Sequence, residues 1–181
     1  MIVKRFVYLV TILGIGFLFQ GCDYIRTLRM TNHFLDSKLV LSSKMIKVAD
    51  GLVTECEYSQ EMPVYVLYYA PDECTECALN HVFVNKPYFD FAKRRGDFET
   101  ILVIAPKMDQ LTEALTRAVQ LESPFPIYID SEHHLEKQDV IPKDERFHSF
   151  LLDKRGSVIY IGRPLSSQRA QQRFIQYLNK L

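Results

Sequence analysis

The sequence predicts an α/β fold built around a central mixed sheet, and three observations carry that prediction. Val64–Tyr69 reads VYVLYY, an unbroken β-branched and aromatic run of strand length, as expected for a strand buried on both faces. Thr100–Ala105 and Pro126–Asp130 are two further short apolar runs, separated by an amphipathic stretch over Asp109–Val119. Strand–helix–strand alternation implies a crossover connection and parallel pairing. Phe147–Asp153 and Ser157–Gly162 flank Lys154-Arg155-Gly156, which reads as a hairpin with glycine in its tight turn.

The bulk numbers bound the problem. The chain has 181 residues, of which 48% are hydrophobic, enough for one domain with a real core. Lys+Arg and Asp+Glu both number 22, so no polyanion-binding surface is indicated. Removing Lys4 and Arg5 with a leader leaves a slight acidic excess. There is no basic stripe and no nucleic-acid motif. Four cysteines are too few for a disulfide scaffold and suit a reactive pair.

Residues 1–21 read as a signal peptide. Lys4 and Arg5 form its charged start, and Phe6–Phe19 is apolar apart from Thr11, short for a membrane span. Gly21-Cys22 follows and resembles a bacterial lipoprotein signal, although Phe19 and Gln20 depart from its usual residues. That resemblance implies lipidation at Cys22. The alternatives are a plain cleaved leader or a short membrane anchor, and in each case the domain lies outside the cytoplasm, where disulfides persist. Residues 22–37 read as a tether, with a short helix as the alternative. Residues 38–62 read as an N-terminal extension, in which Asp50-Gly51 marks a hairpin turn and Cys56 lies at the end. Cys56 is either a small buried hydrophobe or a third redox partner.

The domain proper is read over residues 63–181. Ala70-Pro71-Asp72 breaks the strand, because proline fixes φ and lacks an N–H. Cys74 and Cys77 follow as a C-x-x-C pair opening a helix, which is expected to run until Pro87 interrupts it. The first cysteine then sits at a helix N-terminus, where N–H groups favour a thiolate, and the second lies one turn on, on the same face. Tyr88–Arg95 resumes as a helix, stopped by Gly96. In the Asp109–Val119 helix, Leu111, Leu115, Ala118 and Val119 share a face. Ser131–Arg146 is a charged loop with one helical turn around Leu135. Ser166-Ser167-Gln168 opens a last helix, with Phe174, Ile175 and Leu178 facing in.

Three segments together, YYAPDECTEC, FPIYID at Phe125–Asp130 and FLLDKRGSVIYIG at Phe150–Gly162, resemble the thioredoxin-like proteins. The membrane-tethered TlpA/redoxin branch is the most similar. The resemblance implies a thioredoxin-like fold over roughly residues 63–181: a central mixed sheet with a βαβ unit, a closing β-hairpin and a C-terminal helix. It also implies thiol–disulfide exchange, in which Cys74 attacks and Cys77 resolves. Two departures stand out. Glu73 precedes the first cysteine where thioredoxins carry Trp, and Thr75-Glu76 replaces Gly-Pro between the two. The thioredoxin cis-proline also lacks a match: its place falls near Phe147, and Pro142 lies too far upstream to fill it without a loop shift.

Asp72, Glu73 and Glu76 surround Cys74 with negative charge, which opposes the helix terminus and disfavours the thiolate. The expectation is a reductase or isomerase poise. Glu73 and His148 are candidate supporting residues, the histidine as a proton carrier near neutral pH. A metal site on Cys74, Cys77 and His81 has no evident fourth ligand, so no metal and no cofactor are expected. Expected partners are protein thiols or disulfides, a membrane reached through the lipid anchor, and a membrane electron donor, with the domain on the envelope side facing the periplasm or exterior. A peroxidase on the same fold is disfavoured by the paired cysteines. From another class, the alternative is a non-catalytic thioredoxin-fold lipoprotein that binds a partner.

Overall fold

The computed structural model describes residues 23–41, 44–56 and 58–181. Its contacts divide the chain into two units, Met1–His33 and Phe34–Leu181. The first contributes helix α1, residues 23–35, of which the final turn belongs to the second unit. The leader and Cys22 lie outside the described residues. Among those described, no helix is long and apolar enough to cross a membrane.

The second unit is organised on a seven-stranded sheet: β1 (Met45–Ala49), β2 (Leu52–Cys56), β3 (Val64–Tyr69), β4 (Glu99–Ile104), β5 (Ile127–Ile129), β6 (Ser149–Leu152) and β7 (Val158–Ile161). Their order is β2-β1-β5-β4-β3-β6-β7. β3, β4 and β5 are parallel neighbours, as the strand–helix–strand pattern requires. β6 and β7 close the other side as an antiparallel hairpin on β3. The N-terminal hairpin turns at Asp50 and Gly51, both at positive φ, as a two-residue hairpin turn demands. The sequence did not disclose its docking place, which is antiparallel to β5 through Ile46↔Ile129 and Val48↔Ile127.

Both faces of β3 are covered. Tyr65 and Leu67 join Leu102, Ile104, Ile127 and Leu151 in one cluster, roofed by α3 (Lys86–Arg95) and α6 (Gln168–Leu178). Phe174 is its hub, with ring centroids 5.1 Å from Phe98, 5.2 Å from Tyr160 and 5.6 Å from Tyr65. Ser167 caps α6 by accepting from the Ala170 N–H at 3.1 Å, and Phe174 and Leu178 are buried on its inner face. On the opposite face of the sheet, Val66 pairs with Phe150, and Phe34 stacks edge-on at 5.2 Å from that ring.

One expectation needs correction. The helix after the cysteines does not run to Pro87. α2 (Thr75–Asn80) ends within two turns, and the chain tightens over Val82–Asn85. β-branched Val82 and Val84 favour that break. Pro87 instead sits in the first turn of α3, where its missing N–H costs nothing. α3 ends as expected at Gly96, whose left-handed φ of 74° lets its N–H reach Ala92 O. α4 (Leu111–Gln120) buries Ala114 and Ala118, and α5 (His134–Lys137) is the single turn around a fully buried Leu135.

Candidate active site

Cys74 and Cys77 are joined by a disulfide, with Cα atoms 5.1 Å apart. β3 delivers the pair to the carboxyl end of the parallel strands, and Ala70-Pro71-Asp72 turns the chain into α2. Cys74 is the N-cap of α2, and its Sγ accepts the Cys77 N–H at 3.1 Å. α2 has only six residues, so the stabilising influence on Cys74 is this local N–H, not a long macrodipole. Both cysteines are exposed residues.

Glu73 and His148, 75 residues apart, are brought together. Their contact is a hydrogen-bonded ion pair between His148 Nδ1 and Glu73 Oε1. His148 Nε2 meets Pro142 O at 2.9 Å, so both ring nitrogens have acceptors, which is the pattern of an imidazolium. Burial lowers the His148 pKa, but the hydrogen bond and charge of Glu73 outweigh it, and the pKa ends above the ordinary 6.5. Glu73 Oε1 also accepts the Ala70 N–H at 3.1 Å, tying the end of β3 to the residue before Cys74. The backbone fixes His148 as well, because its carbonyl accepts the Tyr68 N–H at 2.8 Å. No cis peptide bond occurs among the described residues, and Phe147 and His148 stand where the thioredoxin proline was expected.

A cavity of about 320 Å³ adjoins Cys74. Asp72, Glu73 and Glu76 line one side, and Lys107, Glu113 and Arg117 line the other. Sequence reasoning missed the second wall. α4 was legible as amphipathic, but the spacing of Glu113 and Arg117 on its polar side does not reveal what that side faces. Arg117 donates to Asn80 Oδ1 at 2.8 Å and lies 3.7 Å from Glu76. Two of the three carboxylates beside Cys74 therefore have counter-cations, and Asp72 has no ion pair among the described residues.

A smaller cavity of about 110 Å³ is lined by Tyr68, Glu73, His148 and Arg163. The Tyr68 ring lies edge-on to His148 at 5.4 Å, and its hydroxyl is buried without a hydrogen-bond partner. Burial and the nearby carboxylates of Asp130, Glu136, Glu73 and Asp72 push that hydroxyl well above its ordinary range. Asp130, fully buried at the end of β5, caps α5 by accepting the His134 and Leu135 N–H groups, both at 2.9 Å.

The remaining candidates stand apart from this arrangement. His81 is the exposed C-cap residue of α2. Cys56 ends β2, and its side chain is outside the described set. No cluster of potential metal ligands occurs among the described residues.

Three parallel strands, a closing antiparallel hairpin, a C-terminal helix and a C-x-x-C pair leaving the central strand decide the architecture. The fold is thioredoxin-like. No protein-family model matches the chain, and no curated protein matches it. Among solved structures it is similar to a Chlorobium tepidum protein provisionally assigned as a thiol:disulfide interchange protein. The two share 17% identity over 78% of this chain and 98% of that one, at a TM-score of 0.49. It is also similar to an exposed lipoprotein thioredoxin of Streptococcus pneumoniae, at 16% identity over 76% and 99% of the two chains and a TM-score of 0.47. A Porphyromonas gingivalis thioredoxin-like protein matches at 14% identity over 80% and 93%, with a TM-score of 0.43.

Proposed function

We propose that the protein is a thiol–disulfide oxidoreductase whose working pair is Cys74 and Cys77. The observation that carries this reading is a disulfide between two exposed residues at the N-terminus of α2, next to the part-buried His148–Glu73 ion pair. In the reducing direction, the Cys74 thiolate attacks a substrate disulfide and expels one substrate thiolate. The Cys77 thiolate then attacks Cys74 Sγ, releases the second substrate thiol and leaves the Cys74–Cys77 disulfide. Two electrons pass to the substrate. His148 and Glu73 act as supporting residues that set the charge beside Cys74.

Magnitudes argue against a purely structural bridge. The loop it closes has a sequence separation of 3. By chain entropy so short a loop contributes only about 2 kcal/mol, against about 4.7 kcal/mol for a loop of about 100 residues. A staple between two exposed residues within one helical turn adds little that α2 does not already supply.

The competing reading is a thioredoxin-fold protein that binds a partner without redox chemistry. The reduction potential separates the two. In a soluble fragment starting at Asp23, with Cys56→Ser leaving Cys74 and Cys77 as the only cysteines, a reversible two-electron couple more negative than about −200 mV supports a reductase or isomerase. No reversible couple, or a pair that stays reduced under mild oxidant, leaves the binding protein. We further assign Cys22 as the lipidated residue, with residues 1–21 as the cleaved signal and the domain held on the envelope side of a membrane. The partners are then protein thiols or disulfides and a membrane-held electron donor. Mass measurement of the N-terminal peptide tests the anchor, because a lipidated cysteine adds diacylglyceryl mass at Cys22.

A further inference from the structure

α1 begins at residue 23, directly after the proposed lipid-bearing Cys22 and the apolar stretch before it. Three large apolar side chains stand in solvent on its first turns: Tyr24 is 70% exposed, Ile25 52% and Leu28 47%. Their i, i+1 and i+4 spacing puts them on one side of the helix. Arg26, Arg29 and His33 take neighbouring and opposite positions, all exposed. The only carboxylate over residues 23–33 is Asp23, so this stretch is net basic.

Exposed apolar residues in such a cluster call for a covering surface. Its nature follows from continuity. On the membrane-anchored reading, with the leader retained or replaced by acyl chains on Cys22, residue 23 is held within one or two residues of a membrane surface. An amphipathic helix with an arginine beside its apolar side fits the boundary between headgroups and acyl chains, and arginine favours anionic headgroups.

We propose that α1 lies in the interface of an anionic lipid membrane, with Tyr24, Ile25 and Leu28 inserted and Arg29 beside them among the headgroups. This rests on the membrane-anchored reading of the N-terminus. It adds a second, non-covalent lipid contact and makes α1 a surface element instead of a free tether.

The chain contains no tryptophan, so a single introduced one reports alone. Full-length Leu28→Trp and Arg26→Trp proteins would be reconstituted into phosphatidylglycerol/phosphatidylcholine vesicles with brominated acyl chains. Insertion shifts the Leu28→Trp emission to the blue and quenches it several-fold more than that of Arg26→Trp, nearly opposite on the helix. Replacing phosphatidylglycerol by phosphatidylcholine, or adding Arg29→Gln, reduces the quenching. Circular dichroism of each variant verifies that the helical fold is retained. If the protein sediments with vesicles but both tryptophans emit as in water, the anchor stands and the docking proposal is overturned. Equal quenching at both positions also overturns it, because the helix then has no inserted side. If the protein does not sediment with vesicles at all, the anchor reading fails and takes the proposal with it.

Discussion

Buried His148 and part-buried Glu73 form an ion pair, and Glu73 is the residue that precedes the first cysteine. Each partner is pinned by backbone: the carbonyl of His148 holds the Tyr68 N–H, and Glu73 holds the Ala70 N–H. The loop before β6 and the turn after β3 are thereby joined at one point, beside the disulfide. A buried pair that loses one member strands the other charge, which makes this contact a sensitive place to perturb.

The first prediction concerns stability and pH. The folded-state pKa of His148 lies above 6.5, so folding gains stability that is fully present below about pH 6.5. That stability is lost as the pH rises through the raised folded-state value. Urea unfolding midpoints should therefore fall over this window for the native protein and stay flatter for His148→Gln. His148→Ala should cost about 3 kcal/mol near neutral pH. An unchanged pH slope in His148→Gln would remove the pair from the account.

The second prediction is a double-mutant cycle in reduction potential. His148→Gln leaves the Glu73 carboxylate uncompensated beside Cys74, which disfavours the thiolate and makes the couple more reducing. A tenfold change in equilibrium constant corresponds to about 30 mV for two electrons, and a shift of that order is expected. Glu73→Gln should shift the potential less, because the buried imidazole without its carboxylate partner favours the neutral form and the pair then stays net neutral. The double variant should return toward the native value, giving a coupling that a merely structural pair would not show.

The third prediction separates the two sulfurs. Cys77→Ser should accumulate a mixed disulfide with a reagent such as glutathione disulfide at Cys74, while Cys74→Ser should trap far less. Mass spectrometry under limiting reagent reads the ratio. Selectivity for Cys74 would reflect its Cys77 N–H contact and N-cap position.

The fourth prediction tests how residues 37–39 are fastened. Gly156 has φ of 79°, and a Cβ there would meet Leu39 O at 2.4 Å. Its carbonyl also accepts the Leu39 N–H at 2.8 Å. Gly156→Ala should cost about 2 kcal/mol or more, through both the left-handed backbone and the collision with a main-chain atom. A thermal midpoint lowered by roughly 5 °C would match that cost.

The sequence by itself determined the order and type of the core strands and of α4 and α6. VYVLYY, ILVI and IYI are local apolar runs whose length and branching favour strands, and the pattern of α4 and the Ser167 cap of α6 are equally local. Alternation over Thr100–Asp130 was enough to require parallel pairing. The C-x-x-C spacing placed Cys74 and Cys77 one turn apart, and the disulfide follows from that nearness. Glu73 and His148 were legible as candidates but not as partners. Their contact depends on the register of β6 against β3, which brings together residues 75 apart. Tertiary structure alone decided the rest. Lys107, Glu113 and Arg117 became a wall of the cavity because α4 packs beside α2. Two carboxylates near Cys74 acquired cations from distant parts of the chain, which no local count of charge could show. The early end of α2 was missed for a related reason. Val82 packs fully buried into the core, and burying it there outweighs extending a short helix toward Pro87.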